Sequence, residues 1–203
     1  VGALDANAAS VVLADADGND RLCCNLEDVL VLRALTCDGG ALRVRVLETD
    51  DGQRLTQSLA IIDYLEAVQP EPALLPADPI KRAKVLAAAH VVAMDIHPVN
   101  NLRVVAHLAD EFGADADAKR QWMCHWMDTG FAALEQMVDT DTKFAFGDTP
   151  SLADVCLVAQ YYNARRWGVD LSAYPRLTEI EETCLALPAF ADARPEAQPD
   201  AQE

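Results

Sequence analysis

Residues Leu55-Thr56-Gln57-Ser58-Leu59-Ala60-Ile61-Ile62-Asp63-Tyr64-Leu65-Glu66 hold the transition on which the fold turns. A short extended run ends at Thr56, serine is a residue type that caps helices, and Leu59, Ile62 and Leu65 recur at helical spacing. We expect Ser58 to cap a helix that continues through Ala67 and stops before Pro70. Upstream, Leu42, Val44 and Val46 alternate with Arg43 and Arg45, the period of a strand over Leu42 to Glu48. Asp50-Asp51-Gly52 is a hairpin turn signal, and Gln53 to Thr56 is the return strand. Further back, Ser10 to Leu13 is a short apolar run, and Asn25 to Leu35 reads as a helix through Leu26, Val29, Leu30, Leu32 and Ala34.

Downstream, Pro70-Glu71-Pro72-Ala73-Leu74-Leu75-Pro76-Ala77-Asp78-Pro79 places four prolines in ten residues. No helix interior or central strand tolerates that, so it reads as a linker between an N-terminal α/β part and a helical C-terminal part. Beyond it, Ile80 to Ile96 is an alanine-rich, largely buried helix that Pro98 must end or kink. The pattern resumes at Leu102, Val105 and Leu108. Asp117 to Val138 brings Trp122, Trp126 and Phe131 to near-helical spacing, as core. Ser151 followed by Asp154 is a capping-box signature, the helix it opens runs to Trp167, and Gly168 stops it. Tyr174-Pro175 opens a last helix through Leu187. The expected organisation is 1–69 α/β, 70–79 linker, 80–193 helical and 194–203 a mobile tail.

The chain has 203 residues, half of them apolar, enough for a sizeable core. Lys plus Arg number 16 against 33 Asp plus Glu, a net charge of −17 that argues against nucleic acid and anionic membrane surfaces as partners. No apolar run reaches the length of a membrane helix. The first residues lack a basic start followed by an apolar stretch, so no secretory signal is expected. The six cysteines, at 23, 24, 37, 124, 156 and 184, form neither a CxxC nor a zinc-finger spacing. We expect reduced thiols in a cytoplasm and no metal.

Several stretches resemble one family in order. The Leu55–Glu66 stretch, Leu74-Leu75-Pro76-Ala77-Asp78-Pro79, Asp95-Ile96-His97-Pro98-Val99-Asn100-Asn101-Leu102-Arg103-Val104 and Gly130-Phe131-Ala132-Ala133-Leu134-Glu135 are similar to the zeta-class glutathione transferases, the maleylacetoacetate isomerases. So are Gly147-Asp148, Leu157-Val158-Ala159-Gln160 and Asn163-Ala164-Arg165-Arg166-Trp167-Gly168-Val169-Asp170. The resemblance covers about residues 44 to 200 and implies a thioredoxin-like α/β domain followed by an all-helical domain. It implies glutathione as cofactor, a small dicarboxylate substrate and a homodimer. The implied reaction is the glutathione-dependent cis–trans isomerisation of maleylacetoacetate to fumarylacetoacetate in tyrosine and phenylalanine breakdown. The closely similar maleylpyruvate isomerases share most of these motifs, and a general glutathione transferase remains a second alternative.

The resemblance also implies site residues. Gln57 and Ser58 hold the γ-glutamyl end of glutathione, Val44 stands where the family presents backbone to its cysteinyl group, and His97, Asn101, Leu102 and Arg103 border the glutathione cleft. Arg166 grips a substrate carboxylate, which suits a guanidinium fork. The first 43 residues do not carry the family's thiol-activating turn. Its nearest stand-in is Arg21-Leu22-Cys23-Cys24-Asn25, where Cys23 and Cys24 are candidate catalytic thiols or simply small apolar residues. The missing turn also leaves open a non-catalytic protein of this fold. Ser58 is equally readable as an N-cap, and one of Arg165 and Arg166 as a helix C-terminal cation. Asp154 belongs to the capping box rather than to catalysis. Tyr161 and Tyr162 read as core, though one could edge the cleft. His90, His107 and His125 read as packing or surface residues.

Overall fold

The computed structural model describes residues 12–14, 20–21, 46–49 and 51–197. Cys23, Cys24, Val44, the expected helix over Asn25 to Leu35 and the end of the tail lie outside the described residues. The chain divides into two compact units. Of the described residues, one contains the sheet, the chain that follows it to Glu71 and residues 188–197; the other is Pro72–Leu187.

In the first unit, β1 (Val12–Ala14), β2 (Asp20–Arg21), β3 (Val46–Glu48) and β4 (Arg54–Thr56) form a sheet in the order β2-β1-β3-β4. The expected hairpin is present, with Val46 opposite Thr56, Leu47 opposite Leu55 and Glu48 opposite Arg54. Thr49 closes its turn: the Gly52 N–H donates to the Thr49 carbonyl at 2.8 Å, and the Gln53 N–H donates to Thr49 Oγ1 at 3.1 Å. β1 and β2 pair antiparallel. Only residues 15–19 separate them, too few for the crossover that a parallel pair needs. Helix α1 (Ser58–Val68) buries Ile61, Ile62 and Leu65, the stripe legible in the sequence. A short helix, Pro188–Asp192, buries Phe190.

The second unit is helical. Asp78 caps α2 (Pro79–His90), accepting from the Lys81 N–H, with Pro79 at its first position. The expected helix over Ile80 to Ile96 changes character in its last six residues, where Val91–Ile96 widens into a π-helical turn before Pro98. Asn101 caps α3 (Leu102–Phe112), and Asp115 caps α4 (Ala116–Met137). Helix α5 (Leu152–Trp167) is the centre of the unit, packed against α2, α4 and α6 (Pro175–Leu185). Its residues Leu152 to Val158, Gln160, Tyr161 and Ala164 are all buried. α4 closely approaches the π turn at Gly130, where a methyl group would lie 2.3 Å from the Ile96 side chain.

Both ends of α5 are fixed. Asp154, fully buried, accepts from the Ala145 N–H at 2.8 Å, the Ser151 N–H at 2.8 Å and the Ser151 hydroxyl at 2.7 Å. The capping box is therefore present, and it also ties in the loop before the helix. Burial outweighs these donors and pushes the Asp154 carboxyl above its usual range. The Leu152 N–H donates to the Leu74 carbonyl at 3.0 Å, docking the proline-rich segment onto the helix start. At the far end Gly168 sits at φ +73°, a left-handed stop that a side chain resists.

Candidate functional site

Of the expected glutathione-binding residues, Gln57 and Ser58 belong to the first unit. The structure corrects one expectation here: Gln57, not Ser58, is the N-cap, and Ser58 is the first helical residue. Gln57 is held at φ +70° and provides no side-chain cap. A non-glycine residue in that region costs of order 1–3 kcal/mol, strain that persists only where its surroundings impose it. Gln57 alone separates the strand's last residue, Thr56, from α1, so a reversed Gln57 is how the chain turns between them. The first turn of α1 contains no acidic residue. A helix start with its positive dipole end suits a carboxylate such as the α-carboxylate of a γ-glutamyl group.

His97, Asn101, Leu102 and Arg103 belong to the second unit and come together around the π turn and the start of α3. The segment between them is pinned to α4: Trp122 Nε1 donates to the Val99 carbonyl at 2.8 Å, and Asn100 Nδ2 donates to the Met123 carbonyl at 3.2 Å. Trp122 and Trp126, expected in the core, are half-buried, because Trp122 also serves this loop. His97 is half-buried, and desolvation pushes its imidazole below the ordinary histidine range, so it is neutral at physiological pH. Asn101 Oδ1 accepts from the Arg103 N–H at 3.1 Å, which leaves its Nδ2 as the group it can present outward. Leu102 is 37% exposed and Arg103 is exposed.

The two adjacent arginines at the end of α5 have different environments. Arg165 Nε donates to Glu181 Oε1 at 3.3 Å and its Nη2 pairs with Glu181 Oε2, a two-point grip on a carboxylate that is only 3% exposed. The sequence alone does not show this, because Glu181 comes from α6. Arg166 is exposed and has no ion pair or hydrogen bond from its side chain among the described residues. One arginine serves the fold and the other is available to a ligand.

Other chemistry-bearing groups of this unit are accounted for. Cys156 and Cys184 are buried; burial pushes the Cys156 thiol up to about 12 and the Cys184 thiol upward as well, so neither provides a thiolate. Tyr161 is core, with its ring 4.9 Å from Phe131, whereas Tyr162 is half-buried. A shallow depression of about 290 Å³ is lined by Arg120, Cys124, His125, Asp128 and Asp170 and holds none of the expected site residues. No cluster of potential metal ligands occurs among the described residues.

Comparison with known proteins identifies the family. A family model for the C-terminal domain of glutathione S-transferase matches residues 126–180. The maleylacetoacetate isomerase of Pseudomonas aeruginosa is 47% identical over 158 residues, covering 78% of this chain and 74% of that protein. The crystal structure of maleylpyruvate isomerase from P. aeruginosa PAO1 superposes with a TM-score of 0.75 at 49% identity, over 78% of this chain and 84% of that one. A maleylacetoacetate isomerase from Anaeromyxobacter dehalogenans, solved with dicarboxyethyl glutathione and citrate in its active site, gives 0.74 at 42% identity, over 81% and 74% of the two chains. The chain belongs to the zeta-class glutathione transferases, the family of the maleylacetoacetate isomerases.

Proposed function

We propose that the chain is a glutathione-dependent cis–trans isomerase that converts maleylacetoacetate to fumarylacetoacetate, in the breakdown of tyrosine and phenylalanine. The observation that carries this reading is Arg166, an unpaired guanidinium in the last turn of an otherwise buried helix, in a family whose relatives act on maleyl substrates. When bound, glutathione supplies the thiolate whose reversible addition makes the cis double bond rotatable. The chain's residues then have separate tasks. Gln57 and Ser58 hold the γ-glutamyl carboxylate at the start of α1, and Val44 presents backbone to the cysteinyl group. His97, Asn101, Leu102 and Arg103 flank the tripeptide, His97 as a neutral imidazole. Arg166 binds one substrate carboxylate, and Cys23 and Cys24 are the candidates for lowering the thiol's pKa.

Maleylpyruvate is the second reading, favoured by the name of the P. aeruginosa structure at 49% identity. Both substrates place a carboxylate on a cis-enone, so Arg166 serves either. The test is the rate of cis–trans isomerisation of each, with and without glutathione, alongside calorimetric titration of glutathione into the same protein. A folded chain with no glutathione-dependent rate on either substrate refutes the reading, and the ratio of the two kcat/KM values chooses between the substrates. We propose further that the protein acts in the cytoplasm as a homodimer. Ile80 at 71% and Met94 at 56% exposure are large apolar side chains on one continuous helical run and support association. Sedimentation at micromolar concentration tests the dimer.

A further inference from the structure

α5 is buried almost all round, and the exceptions form a pattern. Ala159, Tyr162, Asn163 and Arg166 are the positions along its length that are not buried, apart from Arg165 and the terminal Trp167. They stand at i, i+3, i+4 and i+7, which is one face of the helix. Arg165, one residue round from Arg166, is turned to α6 and held there by Glu181. The open stripe is therefore distinct from the side of α5 that packs against α6.

On that stripe, Asn163 is half-buried, and its side-chain amide has no hydrogen-bond partner among the described residues. The amide is not among the buried polar atoms that lack a partner, so it still reaches solvent and is open to a ligand. Arg166, one turn along the same face, is unpaired too. Two adjacent polar groups with no partner among the described residues, on the one open face of a helix fixed at both ends, form a recognition surface. Their chemistry is complementary: the guanidinium only donates, whereas the amide donates through Nδ2 and accepts through Oδ1. Their Cβ atoms, about 5–6 Å apart as at any i, i+3 pair, suit two oxygens of one short ligand.

We propose that Asn163 is a second substrate-recognition residue, which donates from Nδ2 to a carbonyl or carboxylate oxygen of a short dicarboxylate whose other carboxylate lies on Arg166. This rests on the function proposed above, for which Arg166 is the anchor. Because the amide carries no charge, it adds orientation without adding a second cation. It also leaves room for a keto oxygen where a second arginine would demand a carboxylate.

The experiment uses the full chain with Asn163→Ala, Asn163→Asp and Arg166→Ala. Titration calorimetry with malonate, an unreactive dicarboxylate, reads binding without turnover, and kcat/KM on the better maleyl substrate reads function. Loss of one neutral hydrogen bond predicts that Asn163→Ala weakens both by about three- to tenfold. Asn163→Asp should be worse than Asn163→Ala, because a carboxylate there repels the dianion and competes for Arg166. Unfolding midpoints should stay at the wild-type value, since no partner is broken. If Asn163→Ala changes both readouts by less than twofold, or Asn163→Asp is no worse than Asn163→Ala, the assignment of Asn163 is overturned. If Arg166→Ala leaves malonate binding and kcat/KM unchanged, the proposed function fails first; a loss with Arg166→Ala alone removes only Asn163.

Discussion

Replacing Arg165 and Arg166 one at a time separates folding from recognition at neighbouring positions. Arg165→Ala removes the partner of Glu181, a carboxylate 3% exposed, while the arginine itself is 53% exposed. Leaving a fully buried charge unpaired costs about 3–5 kcal/mol. Water reaching the arginine side screens the pair, so we expect about 1–3 kcal/mol of lost stability. Arg166→Ala breaks no hydrogen bond or ion pair among the described residues and should change stability by less than about 0.5 kcal/mol, as surface substitutions do. Its cost falls on catalysis: a charge-assisted bond to a carboxylate is worth about 1.5–3 kcal/mol, or roughly ten- to a hundredfold in kcat/KM. Urea unfolding gives the stabilities, and initial rates at saturating glutathione give the kinetics. Arg165→Ala should keep most of its kcat/KM wherever the protein is folded. The opposite pattern, with Arg166→Ala the less stable variant and kinetically silent, refutes the division of roles between the two arginines.

Asp154→Ala strands the buried Ala145 N–H and both Ser151 donors, so it should cost about 3 kcal/mol in urea unfolding, more than the ~1 kcal/mol of a simple cap loss, while malonate affinity of the folded fraction holds. His97 has a folded pKa below its unfolded value of about 6.5. Its contribution to stability is thus complete above pH 6.5 and is lost as pH falls through the folded value; His97→Gln should remove that part of the acid slope in unfolding measured from pH 7.5 to 5. Gln57→Gly relieves the φ +70° strain, and because glycine also loosens the unfolded chain the net stability should change by less than about 1 kcal/mol. Glutathione affinity by calorimetry should nevertheless fall severalfold, and an unchanged Kd would count against a site at this turn.

Most of the helical unit was legible because its signals are local. Proline at a helix start, glycine at a helix end and the Ser151–Asp154 box each act within one turn of chain. Features set by distant partners were not. Nothing around Arg165 indicates that Glu181 of α6 will take it. Nothing in Tyr174-Pro175 indicates that α6 is capped from another helix, with Glu135 of α4 accepting from the Arg176 N–H at 2.9 Å and the Leu177 N–H at 3.0 Å. The exchange of Gln57 for Ser58 at the start of α1 has the same origin. Local propensity favours serine as the cap, whereas a reversed glutamine depends on the strand and helix it joins. Asn163 lies in a family motif, and its position on the open stripe becomes visible only from the burial of the rest of α5.

Polar side chains in the helical unit divide into those paired within it and those left open to solvent. Arg176 Nη2 donates to the Thr142 carbonyl at 2.5 Å and the Phe144 carbonyl at 3.1 Å, and its Nε donates to the Asp139 carbonyl at 3.0 Å, locking the loop before α5. Asp154 then holds Ala145 and Ser151, while Gly168 and the Arg165–Glu181 pair terminate the same helix. These groups fix both ends of α5 and have little capacity left for a ligand. Arg166 and Asn163 are the reverse: their side chains make no hydrogen bond or ion pair among the described residues, and they stand on the turn that the others immobilise. A recognition group on a fixed turn loses less freedom when it closes on its ligand, so more of its bond energy appears as affinity. It follows that loosening the turn without touching either group should weaken recognition. Glu181→Gln, which keeps one acceptor for Arg165 and removes the charge, is the mildest such change, and a malonate affinity that falls with it would trace the binding energy to the rigidity of α5.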